Sequence, residues 1–258
     1  MFFNYFIFTI SLFLLIKAQP PPLKFTLSGA EKLNDFLPHS GYYPDGGLSI
    51  VKSLTSNQYL AFWSEFESFR TVADTNDLRD HVGKLNPTGK IMGGRKNDDG
   101  TGFSETSWSD GGAWLMGVLR LQDNRLVGFI HGESHWYPRN GDYTAFKTTG
   151  VAYSNDEGKT WNINEDSQML TPPYSKPATR RWAGNGDFSV VYNPFNGRFM
   201  CYYMASRFFL NNPLGIELVS PQINLAATTD QTASHLTWMK WNGTDYSERG
   251  RGGIKNFM

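Results

Sequence analysis

One cysteine, Cys201, occurs in 258 residues, so no intrachain disulfide can form and stability has to come from packing. Flanked by Met200 and Tyr202 in an apolar run, that thiol reads as a core residue. Neither sign of charge is in excess. The 24 basic and 24 acidic residues cancel, which leaves no basic footprint for nucleic acid and no acidic tail. Nor is there an apolar run of the roughly 20 residues that a membrane span needs. The nearest approach, Met1 to Ile16, gives way to Lys17-Ala18-Gln19 and three prolines. A secretory signal peptide over residues 1–18 fits this pattern, leaving a domain over 19–258. The leader lacks an early Lys or Arg, and Ile16 stands where a small residue is the rule, so an uncleaved anchor is the alternative. The expected place is outside the cell, with no membrane contact after cleavage. There the sequon Asn242-Gly243-Thr244 would accept a glycan.

Aromatic residues are abundant. They make up 15% of the chain, a composition suited to β-strands and to stacking on sugar rings. Three segments place an Asp at the head of an apolar strand: Asp45 before Gly46-Gly47-Leu48-Ser49-Ile50-Val51, Asp110 before Gly111-Gly112-Ala113-Trp114-Leu115, and Asp187 before Phe188-Ser189-Val190-Val191. A polar turn and a second strand follow each, the spacing of a β-hairpin. Phe69 to Lys90 interrupts the first repeat and reads as a charged insertion with weak helical character. The Gly-rich, basic run Ser247 to Gly253 reads as a connection onward.

The octet Ser154, Asn155, Asp156, Glu157, Gly158, Lys159, Thr160, Trp161 is a turn with its own lock. Asp156 can accept from turn amides, Gly158 can take a positive φ, and Trp161 can fold back over the reversal. A weaker copy runs from Thr228 and Asp230 to Thr237 and Trp238; Asp230 follows Asp187 by 43 residues, much as Asp156 follows Asp110 by 46. The octet's spacing S-x-D-x-G-x-T-W resembles the Asp-box (BNR repeat) of sialidase-like β-propellers, with Ser154, Asp156, Gly158, Thr160 and Trp161 as its structural positions. That resemblance implies an all-β fold, a β-propeller built of four-stranded blades and incomplete at about three blades, truncated toward the C-terminus.

In a propeller the leading residues of the inner strands meet at one mouth, so Asp45, Asp110 and Asp187 are expected to converge there. Paired carboxylates of this kind hydrolyse glycosidic bonds, one as acid and one as base or nucleophile. The organisation is similar to that of five-bladed furanosidase-type glycosidases; carried over, Asp45 would be the base and Asp110 a modulator, while Asp187 stands where those enzymes use Glu. A second constellation is His131-Gly132-Glu133-Ser134-His135-Trp136. On a strand, His131, Glu133 and His135 share a face. They suit a catalytic Glu133 held by His131 and His135, with Trp136 and Trp114 as sugar platforms. The same three could instead ligate a metal, or simply form a polar loop. No metal and no cofactor is the expectation adopted. Arg181, just upstream of Asp187, could reach the mouth and pair with a carboxylate. The F/Y-R-I-P segment of sialidases is missing, which argues against sialidase activity itself. The partner expected is therefore a carbohydrate substrate or glycan ligand, and a non-catalytic glycan- or protein-binding propeller or an inactive copy is the rival reading.

Overall fold

The computed structural model describes residues 47–65, 67–76, 90–92, 108–135, 145–163, 165–173, 183–209 and 217–252. All belong to the unit Leu33–Met258. Asp45, Trp136 and Arg181 lie outside the described residues, and for His135 the backbone alone is described.

Among these residues the protein is all-β, with thirteen strands and one turn of 3-10 helix at Glu165–Ser167. The strands form three consecutive antiparallel groups. The first holds β1 (Ser49–Lys52), β2 (Tyr59–Ser64), β3 (Ser68–Ala73) and β4 (Lys90–Met92) in sequence order. The second holds β5 (Gly112–Arg120), β6 (Leu126–His135), β7 (Ala145–Ser154) and β8 (Gln168–Leu170). The third holds β9 (Ala183–Asn193), β10 (Arg198–Phe209), β11 (Glu217–Thr228), β12 (Met239–Trp241) and β13 (Tyr246–Arg249). A short parallel pairing, Phe146 with Ala183 and Lys147 with Gly184, joins the second group to the third.

Packing explains why several strands are nearly continuous apolar runs. In β6, Leu126 and Ile130 face the first group, where they join Leu60 and Phe62 of β2, together with their own neighbour Leu115 of β5. Val127 and Phe129 face the third group and meet Phe199, Cys201, Tyr203 and Trp238. A strand buried on both sides needs apolar residues at both parities. Each fully buried side chain of this size contributes about 2–3 kcal/mol. Cys201 lies in that second layer, where burial pushes its thiol well above the ordinary range. A bulge in β5 leaves Met116 without a cross-strand partner and lets both Leu115 and Val118 face the first group. The backbone beside the bulge is satisfied from β2 and β3. Ser64 Oγ donates to the Leu115 carbonyl at 2.8 Å, and the Leu115 amide donates to Ser68 Oγ at 2.9 Å.

The turn after β7 is held as its residues suggested. Asp156 Oδ1 accepts from the Ser154 hydroxyl (2.8 Å) and from the amides of Lys159 (3.1 Å) and Thr160 (2.9 Å); Oδ2 accepts from the Thr160 hydroxyl (2.6 Å). Gly158 takes φ +76°, and Trp161 Nε1 donates to its carbonyl at 3.1 Å. The turn after β11 repeats the scheme across a longer loop. Asp230 accepts from the amides of Thr232 and Ser234 and from the hydroxyls of Thr232 and Thr237, while Trp238 Nε1 donates to Ala233, itself at φ +52°.

Two expectations are corrected. The supposed helical insertion begins inside a strand, since Ser68–Ala73 is β3, and its arginine is buried. Arg70 Nε donates to the Glu157 carbonyl at 2.8 Å, and burial lowers its basicity against the opposing pull of Glu157 and Asp156. The basic tail also begins as structure. Tyr246–Arg249 is β13, which places Glu248 opposite a buried Lys240 whose Nζ donates to the Thr171 carbonyl at 2.7 Å.

Candidate active site

Along β6, the face that carries Val127 and Phe129 continues to His131 and Glu133. The apolar layer between the second and third groups therefore ends in polar side chains. Register lines up their neighbours. Glu133 lies between Gly112 of β5 and Lys147 of β7, and His131 between Trp114 and Thr149. The Trp114 ring stands 5.9 Å from the imidazole at 62°.

From the other side comes the start of β9. Gly184 lies against the Lys147 backbone, and a Cβ on Gly186 would sit 2.6 Å from Lys147 Cδ and 3.0 Å from His131 Cε1. Side chains at 184 and 186 would hold β9 off; glycines let it approach. Asp187 then bulges from the ladder, because Phe188 pairs with Tyr203 and Gly186 with Met204, and the residue between them has φ +44°. A non-glycine residue in that region is strained, and bulges recur where a side chain has to be aimed. β9 thus begins before Asp187, which sits inside the strand rather than at its head.

The bulge brings Asp187 to His131. The Asp187 amide donates to His131 Nδ1 at 3.4 Å, which makes that nitrogen an acceptor and puts the neutral ring's proton on Nε2, 3.1 Å from Glu133 Oε1. Asp187 Oδ1 lies 3.9 Å from Nδ1. Glu133 and Asp187 thus approach opposite nitrogens of one imidazole, their nearest carboxylate oxygens 3.1 and 3.9 Å from the ring. Glu133 is nearly buried, whereas the Asp187 side chain is half exposed and pairs with Lys147 Nζ at 3.2 Å.

The structure therefore brings together His131, Glu133, Asp187 and Trp114. Asp110 lies close by in the chain but differently from expectation. It is 1% exposed, just ahead of β5, where the Gly111 amide donates to the Glu133 carbonyl at 2.8 Å. It does not face an open mouth. His135 pairs with Ala145 at the end of β6. Among the described residues, no group of three or more His, Cys, Asp or Glu side chains is disposed to hold a metal ion. Sequence reasoning missed Lys147, whose only signal is the register that opposes it to Glu133. Asn242 sits in the β12–β13 turn, its Oδ1 accepting from the amides of Thr244 and Asp245 and its Nδ2 donating to Ser247.

The class of protein that these features define is an all-β protein in which one buried histidine meets the Glu133 carboxylate on one nitrogen and the Asp187 amide on the other, at the end of an apolar layer. No family model matches the chain, and no curated protein matches it significantly. Solved structures similar to it include an endo-1,4-beta-xylanase from Bacteroides thetaiotaomicron (TM-score 0.41, 11% identity, 80% of this chain and 57% of that one). An endo-arabinase from the same organism has a TM-score of 0.43 at 11% identity, over 81% of this chain and 64% of its own. An endo-1,5-alpha-L-arabinanase from Thermotoga petrophila gives 0.39 at 11% identity, over 70% and 36%. The chain thus spans between about a third and two thirds of the length of these structures.

Proposed function

We propose that this chain is a secreted carbohydrate-active protein of β-propeller construction, a glycoside hydrolase in which Glu133 and Asp187 form the working carboxylate pair. The observation that carries the reading is the convergence of Glu133 and Asp187 on one imidazole, Glu133 through its carboxylate and Asp187 through its backbone amide, with an aromatic ring, Trp114, alongside. Three sequence-consecutive antiparallel groups separated by apolar layers support the propeller part. So does the occurrence, after the third strand of both the second and the third group, of a turn whose Asp collects two amide and two hydroxyl hydrogen bonds.

In this reading Glu133, little reached by water, gives its proton to the glycosidic oxygen. Asp187, open to solvent, takes a proton from a water whose oxygen bonds to the anomeric carbon as the bond to the leaving oxygen breaks. His131 fixes Glu133 through its Nε2 proton and Asp187 through its Nδ1 acceptor. The buried Asp110 suits a modulating role rather than proton transfer, and Asp45 would complete the acidic set. That withdrawal of Asp110 from solvent also favours one rival, a non-catalytic glycan-binding module.

Screening the purified protein against aryl furanosides and pyranosides decides between them. Hydrolysis of at least one, reduced by about 100-fold or more in Glu133→Gln, is the expected result. Retention of glycans on an array with no hydrolysis would instead establish the binding module.

A further inference from the structure

Resting on the carboxylate pair proposed above, we infer that Lys147 is a positioning residue that holds Asp187 in its working orientation. The residue lies on β7 opposite Glu133, and its Nζ donates to both Asp187 oxygens, at 3.2 and 3.4 Å. The fold makes room for it at two places. Gly184, at φ +99°, and Gly186 are the residues of β9 that run across Lys147, and a Cβ at either would collide with its backbone or its stem.

Asp187 is half exposed, stands outside the β9–β10 ladder and has φ +44° without being glycine. A backbone in that region persists when its surroundings hold it there. The His131 contact restrains the amide of Asp187, and the Lys147 contact restrains its carboxylate. Ion pairs this open to solvent add little to stability, so the device is not needed to keep the chain folded. Orientation is a different matter, because displacing a reacting group by about 1 Å costs roughly 100-fold in rate.

The test uses the full-length protein, Lys147→Met and Lys147→Arg. With the aryl glycoside that the wild type hydrolyses, K147M is expected to lose about 10-fold or more in kcat with KM within about twofold and an unchanged melting temperature, and K147R to recover most of that loss. Backbone 13C shifts and the amide–Hα coupling of Asp187, read by NMR without any substrate, are expected to show the left-handed conformation in wild type and K147R and to lose it in K147M. Retention of the wild-type kcat or of the left-handed signal in K147M overturns the inference, as does a change confined to KM or a parallel loss of melting temperature. Should the wild type hydrolyse nothing on the panel, the hydrolase reading fails, and the NMR signal alone decides the role of Lys147.

Discussion

Replacing Asp156 by asparagine probes the lock of the turn after β7. Four hydrogen bonds converge on that carboxylate, two from amides and two from hydroxyls. Partial burial opposes its charge, but the bonds from Thr160, Ser154 and Lys159 prevail and hold the carboxyl at about 2, against an ordinary 3.8. Fully expressed, that displacement is worth about 2.4 kcal/mol. The turn faces water, so screening leaves about 1 kcal/mol of it. The folded value lies below the unfolded one. The contribution is therefore complete above about pH 4 and disappears as the pH falls toward about 2. Asparagine keeps the shape but turns an NH2 toward one of the donors, which brings the expected total loss to about 1–2 kcal/mol. Urea unfolding followed by tryptophan fluorescence measures it: a gap between wild type and variant of that size near pH 6, narrowing by about half or more near pH 2.5. Equal gaps at both pH values would refute the charge argument, and no gap near pH 6 would refute the lock itself.

Gly158→Ala forces a left-handed alanine whose Cβ runs into the Phe62 ring, whereas Gly197→Ala, at φ +64°, has nothing nearer than Gln231 at 3.8 Å. Backbone strain alone predicts about 1 kcal/mol lost in the second and at least about 2 kcal/mol more in the first, a difference that thermal unfolding resolves. Burial pushes the Lys240 ammonium from 10.5 down to about 8, with Glu248 opposing. Between these values the unfolded chain binds more protons, so stability should rise with pH. From about pH 8 to pH 9 the stability of wild type should rise by about 1 kcal/mol relative to Lys240→Met in urea melts, a comparison in which the opposing effect of the Cys201 thiol, common to both, cancels. In Gly186→Ala the new methyl would press on Lys147 and His131 and hold β9 off, so hydrolysis should fall by about 10-fold or more and thermal unfolding should show about 1–3 kcal/mol lost; a variant that keeps both would refute the close approach.

Much of the architecture was open to inspection in the sequence, because hairpin turns and alternating or doubly apolar strands are local features. The weaker turn at Thr228–Trp238 was found by spacing alone; its Asp likewise collects two amide and two hydroxyl donors, though from other offsets than in the first turn. β3 was hidden because Arg70 breaks its apolar pattern, and what compensates the guanidinium is a carbonyl 87 residues away. The site was half visible. His131 and Glu133 declare themselves by alternation on one strand. Their connection to Asp187 depends on a bulge and on a parallel pairing between β7 and β9, neither of which has a local sequence rule. The same pairing hid Lys147, which in the sequence is one lysine among 24 basic residues. The burial of Asp110 was not legible, because an Asp-Gly-Gly head looks alike whether its carboxylate faces water or is enclosed.

The most direct test of the carboxylate pair is a double-mutant comparison of hydrolysis rates for Glu133→Gln, Asp187→Asn and the two combined. Groups that act as a unit on one bond are not additive, so the double variant should be about as slow as the slower single one. A double variant slower by the product of the two single effects would mean that Glu133 and Asp187 work independently, and the proposed chemistry would be wrong.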